Sequence, residues 1–559
     1  MLWKLVRHYG RPYRGHVVAV LVFQLAATLA TLYLPSLNAD IIDNGIATGD
    51  TGYIWRVGGI MLAVAMLQVF TAIAAVWFGA RMSMSIGRDL RQAVYLRVDH
   101  FSAEEMGRFG APTLITRGTN DIQQVQMVVL MALNFMVMVP IMSIGGIVMA
   151  IQEDPGLSWL VWVSVPILLL IVGALVSRLM PLFERMQSNI DDVNEVMREQ
   201  IIGIRVVRAF VREKHEAERF TDANAALTKT SVSIGRLFVL MGPVITMILH
   251  LATAAVLWFG GLRVDDGLVE VGALTAFMQY LLQILMAVMM GTFMFMMFPR
   301  AVISARRVGE VLTTTGSVTE PASPLVPEQR DGTVEFRGVS FAYPGADAPV
   351  LDGVSFTAEA GRTTAIIGST GSGKTTLVNL IPRLYDATAG EVLIDGVPVA
   401  QMSRAGLTEA VGLVPQKPYL FSGSIAENLR FGDPEASEDA LWAALETAQA
   451  TDFVVARTTG EGEAARHGLE SAISQGGTNV SGGQRQRLCI ARALVARPRV
   501  YLFDDSFSAL DVTTDANLRS ALSGYTDGAT TIMVAQRVAS ITEADQILVL
   551  EAGRIVARG

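Results

Sequence analysis

The sequence predicts a two-part fold, a bundle of six membrane-spanning helices followed by an α/β domain built on a phosphate-binding loop. Three observations predict it. The 559 residues are 51% hydrophobic and only 17% charged, with a mean hydropathy of +0.42, a balance that suits a chain lying partly in a bilayer. Six apolar stretches are each long enough to cross about 30 Å of hydrocarbon at about 1.5 Å per residue. Finally, Gly368-Ser369-Thr370-Gly371-Ser372-Gly373-Lys374-Thr375-Thr376 follows an apolar strand, Thr364–Ile367, and opens a helical run, Leu377–Leu384, the strand–loop–helix setting that a phosphate loop requires.

A chain of this length exceeds one ordinary domain. The expected division is a membrane domain over 1–312, a linker over 313–332 rich in Thr, Pro, Ser and Gly, and an α/β domain over 333–559. Charge is uneven across it: residues 1–312 carry 25 Lys and Arg against 23 Asp and Glu, and the remainder 19 against 29. An acidic second half argues against a nucleic-acid surface. The single cysteine, Cys489, excludes an internal disulfide and lies in an apolar helix pattern that reads as packing. Met1–Arg14 is basic and amphipathic without a cleavage site, so an interfacial helix is expected there rather than a signal peptide.

The spans are placed near 17–35, 58–80, 127–150, 157–180, 238–262 and 271–298. The loops after the first, third and fifth are short and acidic (Asp40, Asp43, Asp50; Glu153, Asp154; Asp265, Asp266, Glu270), and those after the second and fourth are long and basic. The positive-inside rule puts both termini and both long loops in the cytoplasm. Those loops keep helix-forming composition, so the spans are expected to continue as helices and meet at short knuckles near Phe109–Pro112 and Val211–Lys214.

Polar residues within spans are few: Gln24, Asn38, Gln68, Asn134, His250, Gln279 and Gln283. His250 reads as an interhelical hydrogen-bonder rather than a proton relay. Methionine is abundant in the sixth span, at Met278, Met286, Met289, Met290, Met294, Met296 and Met297, and in the third, at Met131, Met136, Met138 and Met142. Packing or lipid contact accounts for these more simply than a pliable substrate cavity does.

In the second domain Val334–Phe341 alternates at strand period and ends near Tyr343, an aromatic placed to stack on a base. Glycines in the phosphate loop let backbone N–H groups approach phosphate oxygens, and the helix that follows adds its positive end. Lys374 is positioned to neutralise the β- and γ-phosphates and Thr375 to hold Mg²⁺. Val500–Phe503 reads as a buried strand closed by Asp504 and Asp505. Glu551–Gly559 reads as a strand without a following helix.

With Gly368–Thr376 and Ser481-Gly482-Gly483-Gln484 on one chain behind six spans, the sequence resembles ATP-binding cassette (ABC) exporter half-transporters along essentially its whole length. The resemblance implies the six-helix exporter fold, a dimer of such chains, and ATP with Mg²⁺ as ligands. It also implies roles. Tyr343 corresponds to the adenine-stacking aromatic, Gln416 to the glutamine that contacts Mg²⁺ and reports to the membrane domain, and Asp504 to the Mg²⁺-associated carboxylate. Ser481–Gln484 corresponds to the signature that caps the γ-phosphate bound to the other subunit, and Ser508-Ala509-Leu510-Asp511 to the loop that crosses between subunits. The knuckles become coupling helices.

Two positions depart from the family pattern. Asp505 stands where a glutamate usually orients the attacking water, and Gln536 stands where a histidine usually contacts the γ-phosphate. The aspartate falls short of that water by roughly 1 Å, a displacement that can cost about 10²-fold. Glutamine keeps a donor but carries no imidazolium charge. The expectation is therefore a site that binds ATP and cleaves it poorly, in a heterodimer whose partner half-transporter brings the glutamate and histidine. The transport expected is of amphiphilic small molecules or lipids across the cytoplasmic membrane. An importer on the exporter fold and a mainly regulatory ATP-binding subunit are the alternatives.

Overall fold

The computed structural model describes residues 1–460, 466–536 and 541–559, the side chains of residues 293, 295, 296 and 466 excepted, so the methionine noted at 296 lies outside the described set. The chain divides into two compact units, Met1–Val98 with Pro112–Thr314, and Asp99–Ala111 with Thr315–Gly559.

Among the described residues, six helical stretches are long and apolar enough to cross a membrane: Leu2–Ile46, Thr51–Asp99, Ala111–Glu153, Trp159–Ala209, Glu213–Asp265 and Val271–Thr313. The fourth runs for 51 residues, or about 77 Å of helix, where about 30 Å would span the hydrocarbon. The excess is the continuation expected from the long basic loops. At the amino terminus Leu2–Gly10 is a separate amphipathic helix with Leu2 and Leu5 buried and Trp3 exposed.

The core of the membrane unit joins Leu32, Met142, Leu168, Ile245, Phe277 and Ile284. Small residues bring the helices close: a Cβ on Gly146 would meet Ile284 at 2.7 Å and one on Gly145 would meet Leu32 at 2.5 Å, the close approach that membrane helices use in place of a hydrophobic driving force. The buried Tyr280 hydroxyl donates to the Leu32 carbonyl at 2.9 Å. Beyond the apolar stretch, polar links hold the third and sixth helices together. Arg117 reaches Glu310 at 2.8 Å, and Ser304 donates to Asp121 at 2.8 Å. At the other end the acidic loops are engaged. Asp43 accepts from the N–H groups of Gly272 and Ala273 at 2.6 and 3.2 Å, and Arg263 grips Asp154 through two nitrogens at 2.7 and 3.0 Å.

Two expectations need correction. His250 is exposed on this chain rather than bonded between helices. On its helix Ile245, Ile248, Ala252 and Val256 form the buried stripe, and residue 250 falls about 200° from either 248 or 252 on the opposite face. The methionines need none: Met142, Met278 and Met289 pack in or against the core, while Met136, Met286, Met290 and Met297 are exposed. The helix after the phosphate loop is Lys374–Leu380, starting and ending earlier than Leu377–Leu384. Gly373 in the left-handed region opens it, and Pro382 cannot carry it on.

The two knuckles differ. The first is a helix, Ala103–Phe109, capped by Ser102 and Glu105 and closed by Gly110 at φ 72°. It belongs to the second compact unit. The second is only a turn, Phe210 to Arg212, with Val211 at φ 51°.

The second unit carries two main sheets. One is antiparallel, in the order Leu351–Ala358, Val334–Phe341, Ala389–Ile394, Val397–Pro398. The other runs Arg554–Arg558, Gln546–Glu551, Thr363–Ile367, Thr530–Val534, Val500–Asp504, Val411–Val414, parallel throughout except for the first pair. Its central strands are buried, as Val500–Asp504 is at every position, so they read as continuous apolar runs. Their carboxyl ends place the site.

Candidate functional site

The phosphate loop leaves the strand Thr363–Ile367 and turns into the helix Lys374–Leu380. Glycine is required at 368, where φ is 157° and a Cβ would sit 2.0 Å from the Leu550 carbonyl oxygen, and at 373, where φ is 101°. The chain can fold the loop tightly only without side chains at those points. Gly371 shares the left-handed backbone. Lys374 lies across the loop, its Nζ donating to the carbonyls of Gly368 and Ser369 at 2.9 and 2.8 Å. Its ammonium is thus already held over the cradle that a phosphate would enter.

The strand Val500–Asp504 delivers the carboxylates. Asp504 is buried and accepts from the Thr375 hydroxyl at 3.0 Å. Burial pushes its carboxyl up; the Thr375 hydrogen bond opposes this, and the neighbouring Asp505 charge adds to it. Asp505 follows with φ at 48°, a left-handed backbone that aspartate tolerates better than most residues. Its Oδ2 accepts from Gln536 Nε2 at 2.7 Å and from Gln416 Nε2 at 3.3 Å. The loop beyond is held by Ser506, which donates to the Val414 carbonyl at 3.0 Å, and by Ser508, which donates to the Asp505 carbonyl at 3.0 Å.

These groups line one cavity of about 250 Å³, with Thr370, Lys374, Gln416, Asp504, Asp505 and Gln536 on its wall. The donor set suits Mg²⁺ bound beside phosphates, which needs only one or two carboxylates with further ligands from phosphate and water. No cluster of three His, Cys, Asp or Glu side chains able to hold a metal unaided occurs among the described residues.

Other site residues fall elsewhere. The Tyr343 ring is half-buried, edge-on to Phe341 and Tyr385, and its hydroxyl is 3.0 Å from Thr376 Oγ1. Ser481–Gln484 is outside the cavity wall. Ser481 caps the helix Gly482–Val495 in a reciprocal box: its Oγ accepts from Gln484 N–H at 3.2 Å and its N–H donates to Gln484 Oε1 at 3.1 Å. Ser481 and Gly482 are exposed, which leaves the helix N-terminus open to an anion. Asp511 caps the helix Val512–Tyr525 through Thr514 N–H at 3.0 Å, and that bond holds its carboxyl below the usual range. Cys489 is buried and its thiol is pushed up by burial, as packing requires.

Sequence reasoning missed Ser506 and the convergence of Gln416 and Gln536 on one oxygen of Asp505. The pairs lie 89 and 31 residues apart, and no local pattern signals them.

Comparison with known proteins agrees with this geometry. The family described as ABC transporter transmembrane region matches residues 17–288, and the family described as ABC transporter matches residues 351–508. An uncharacterized ABC transporter ATP-binding protein of Mycobacterium tuberculosis is 49% identical across 100% of this chain and 95% of its own length. The chain belongs to the ABC transporter family. It is a multi-pass membrane half-transporter whose second unit is a transporter ATPase domain. A fatty acid ABC transporter ATP-binding/permease protein of the same species is similar at 32% identity, over 89% of this chain and 78% of that one. The solved structure of a bacterial Atm1-family ABC exporter with ATP bound superposes with a TM-score of 0.77 at 24% identity, covering 98% of this chain and 95% of that one. The fold is that of an ABC exporter.

Proposed function

We propose that this ABC transporter chain is one subunit of a heterodimeric exporter of amphiphilic small molecules or lipids. It would act at the cytoplasmic membrane with its ATPase unit in the cytoplasm. Its own site binds ATP with Mg²⁺ and hydrolyses it weakly, and Ser481–Gln484 serves the nucleotide of a partner half-transporter that supplies the catalytic glutamate and histidine. The observation that carries the reading is the Asp505 carboxylate, one methylene short and tied by two glutamine amides at the same oxygen.

When bound, Mg²⁺ would offset phosphate charge, and Thr375, Gln416 and Asp504 are the side chains that would hold it. Lys374 anchors the β- and γ-phosphates. Only Oδ1 of Asp505 is left to orient a water. A carboxylate that reaches roughly 1 Å short loses about 10²-fold. Gln536 donates a neutral hydrogen bond where an imidazolium would add charge. The open N-terminus of the helix after Ser481 keeps its donors, so that surface stays competent toward an anion. Lipid-like cargo is supported by the fatty acid transporter among the similar proteins.

The deciding measurement is ATP turnover by the chain purified alone and together with a second half-transporter. Turnover on the order of 1 s⁻¹ or more by the chain alone would sink the heterodimer reading. Uptake of a fluorescent fatty acid against a cationic dye, in vesicles holding both chains, tests the cargo class.

A further inference from the structure

The linker, rich in Thr, Pro, Ser and Gly, has the composition of a flexible tether, yet its first residues are gripped. Ser317 N–H donates to Glu105 Oε1 at 2.8 Å, and Ser317 Oγ lies 2.7 Å from Ser102 Oγ. The other oxygen, Oε2, accepts from Ser102 N–H at 2.9 Å and from its hydroxyl at 2.6 Å. Glu105 is 5% exposed. One buried carboxylate therefore closes the cap of the knuckle helix Ala103–Phe109 and holds the linker at once. Burial works to raise its carboxyl, but the hydrogen bonds from Ser102 and Ser317 outweigh it and keep the group below the usual range.

The fit around the grip is close. A Cβ on Gly316 would lie 2.5 Å from the His100 carbonyl oxygen. Downstream, Glu320 accepts from Arg404 N–H at 3.1 Å and Leu325 N–H donates to the Gln401 carbonyl at 2.8 Å. All of these residues belong to the ATPase unit, knuckle included. The sixth spanning helix ends at Thr313, so three residues separate it from Ser317, a stretch that reaches at most about 14 Å.

We propose that Glu105 is a positioning residue that converts the linker into a strut. By holding Ser317 to the first knuckle, it makes that knuckle and the end of the sixth helix follow the ATPase unit together. ATP-driven movement then reaches the second, third and sixth spanning helices through one joint. A free linker would let the sixth helix lag by the slack of some twenty residues. The inference rests on the transport reading only for what the movement accomplishes; the grip itself stands on the hydrogen bonds.

The test is hydrogen exchange by mass spectrometry on the full-length chain in lipid nanodiscs, with and without ATP. Glu105→Ala is expected to raise exchange at least tenfold over both 103–109 and 314–320. Ser317→Pro, which removes the donor and leaves the Ser102–Glu105 cap in place, is expected to raise it over 314–320 alone. In both variants the apparent affinity for ATP stays within twofold of the parent, while the ATP-induced change in exchange over 112–121 and 300–313 falls below a third of the parent value. A merely structural role would lower stability without that split. The proposal is overturned if Ser317→Pro leaves linker exchange at the parent level, or if both variants keep the full ATP response. A parent chain with no ATP response in its membrane helices would instead count against the transport reading, and linker exchange would still decide the grip.

Discussion

Two helix N-termini in the ATPase unit are shaped for anions, and they are built from opposite materials. The helix Lys374–Leu380 has no side-chain cap; its cradle is backbone, opened by glycine in the left-handed region and crossed by the Lys374 ammonium. The helix Gly482–Val495 is capped by side chains, Ser481 and Gln484 bonding reciprocally. The first lies beside two buried carboxylates, with Lys374 half-buried, and the second is exposed at its tip. On the reading proposed above, the difference would separate holding a nucleotide from completing another chain's site. Loss of charge should damage the first, and loss of one hydroxyl the second.

The largest expected effect is at Lys374. Lys374→Ala removes the ammonium over the loop and is expected to weaken ATP binding to this chain by about 10²-fold, measured by equilibrium binding to the purified chain. Next is Ser481→Ala. It is expected to lower ATP turnover of the two-chain complex at least tenfold while leaving ATP binding by this chain unchanged, and to cost its helix about 1 kcal/mol. Equal loss of both properties would erase the distinction between the two termini.

A smaller effect sharpens the first region. Asp505→Asn is expected to change turnover of the complex by less than about threefold, because in the heterodimer proposed above the catalytic base would sit on the other chain. Asp505→Glu alone should gain little. Combined with Gln536→His it should raise this site's own hydrolysis by about tenfold or more, because Gln536 otherwise keeps its hold on the carboxylate. Steady-state turnover of the two-chain complex checks the first, and single-turnover hydrolysis by the chain alone compares the other two.

The smallest effect concerns Asp504. Its folded-state carboxyl is raised by burial, so the nucleotide-free folded chain holds that proton more tightly than the unfolded one. Stability should therefore fall as pH rises from the ordinary carboxylate range through the raised one. Asp504→Asn is expected to flatten that slope in melting temperatures taken across pH without nucleotide.

Much of the site was legible locally. Gly368–Thr376 declared itself because a phosphate cradle needs glycine, lysine and threonine at fixed steps between a strand and a helix. Ser481–Gln484 was legible only through the family resemblance; that its serine and glutamine cap each other came from the structure. The two departures, Asp505 and Gln536, were visible as residues, but their contact was not. The knuckles were visible as breaks near Gly110 and Val211; that one is a capped helix and the other a bare turn was not. The short acidic loops were likewise visible as charge, but that Asp43 and Asp154 are engaged was not.

The sequence by itself determined the six spans, the two-part order and the phosphate loop, because apolar length, loop charge and glycine spacing act over a few residues at a time. Only the tertiary structure decided which groups share an oxygen or a cap. Gln416 and Gln536 meet on Asp505 because parallel strands far apart in sequence end side by side, and Ser317 meets Glu105 across 212 residues of chain. Hydrogen bonds depend on position within a few tenths of an ångström, and only the packed fold sets that.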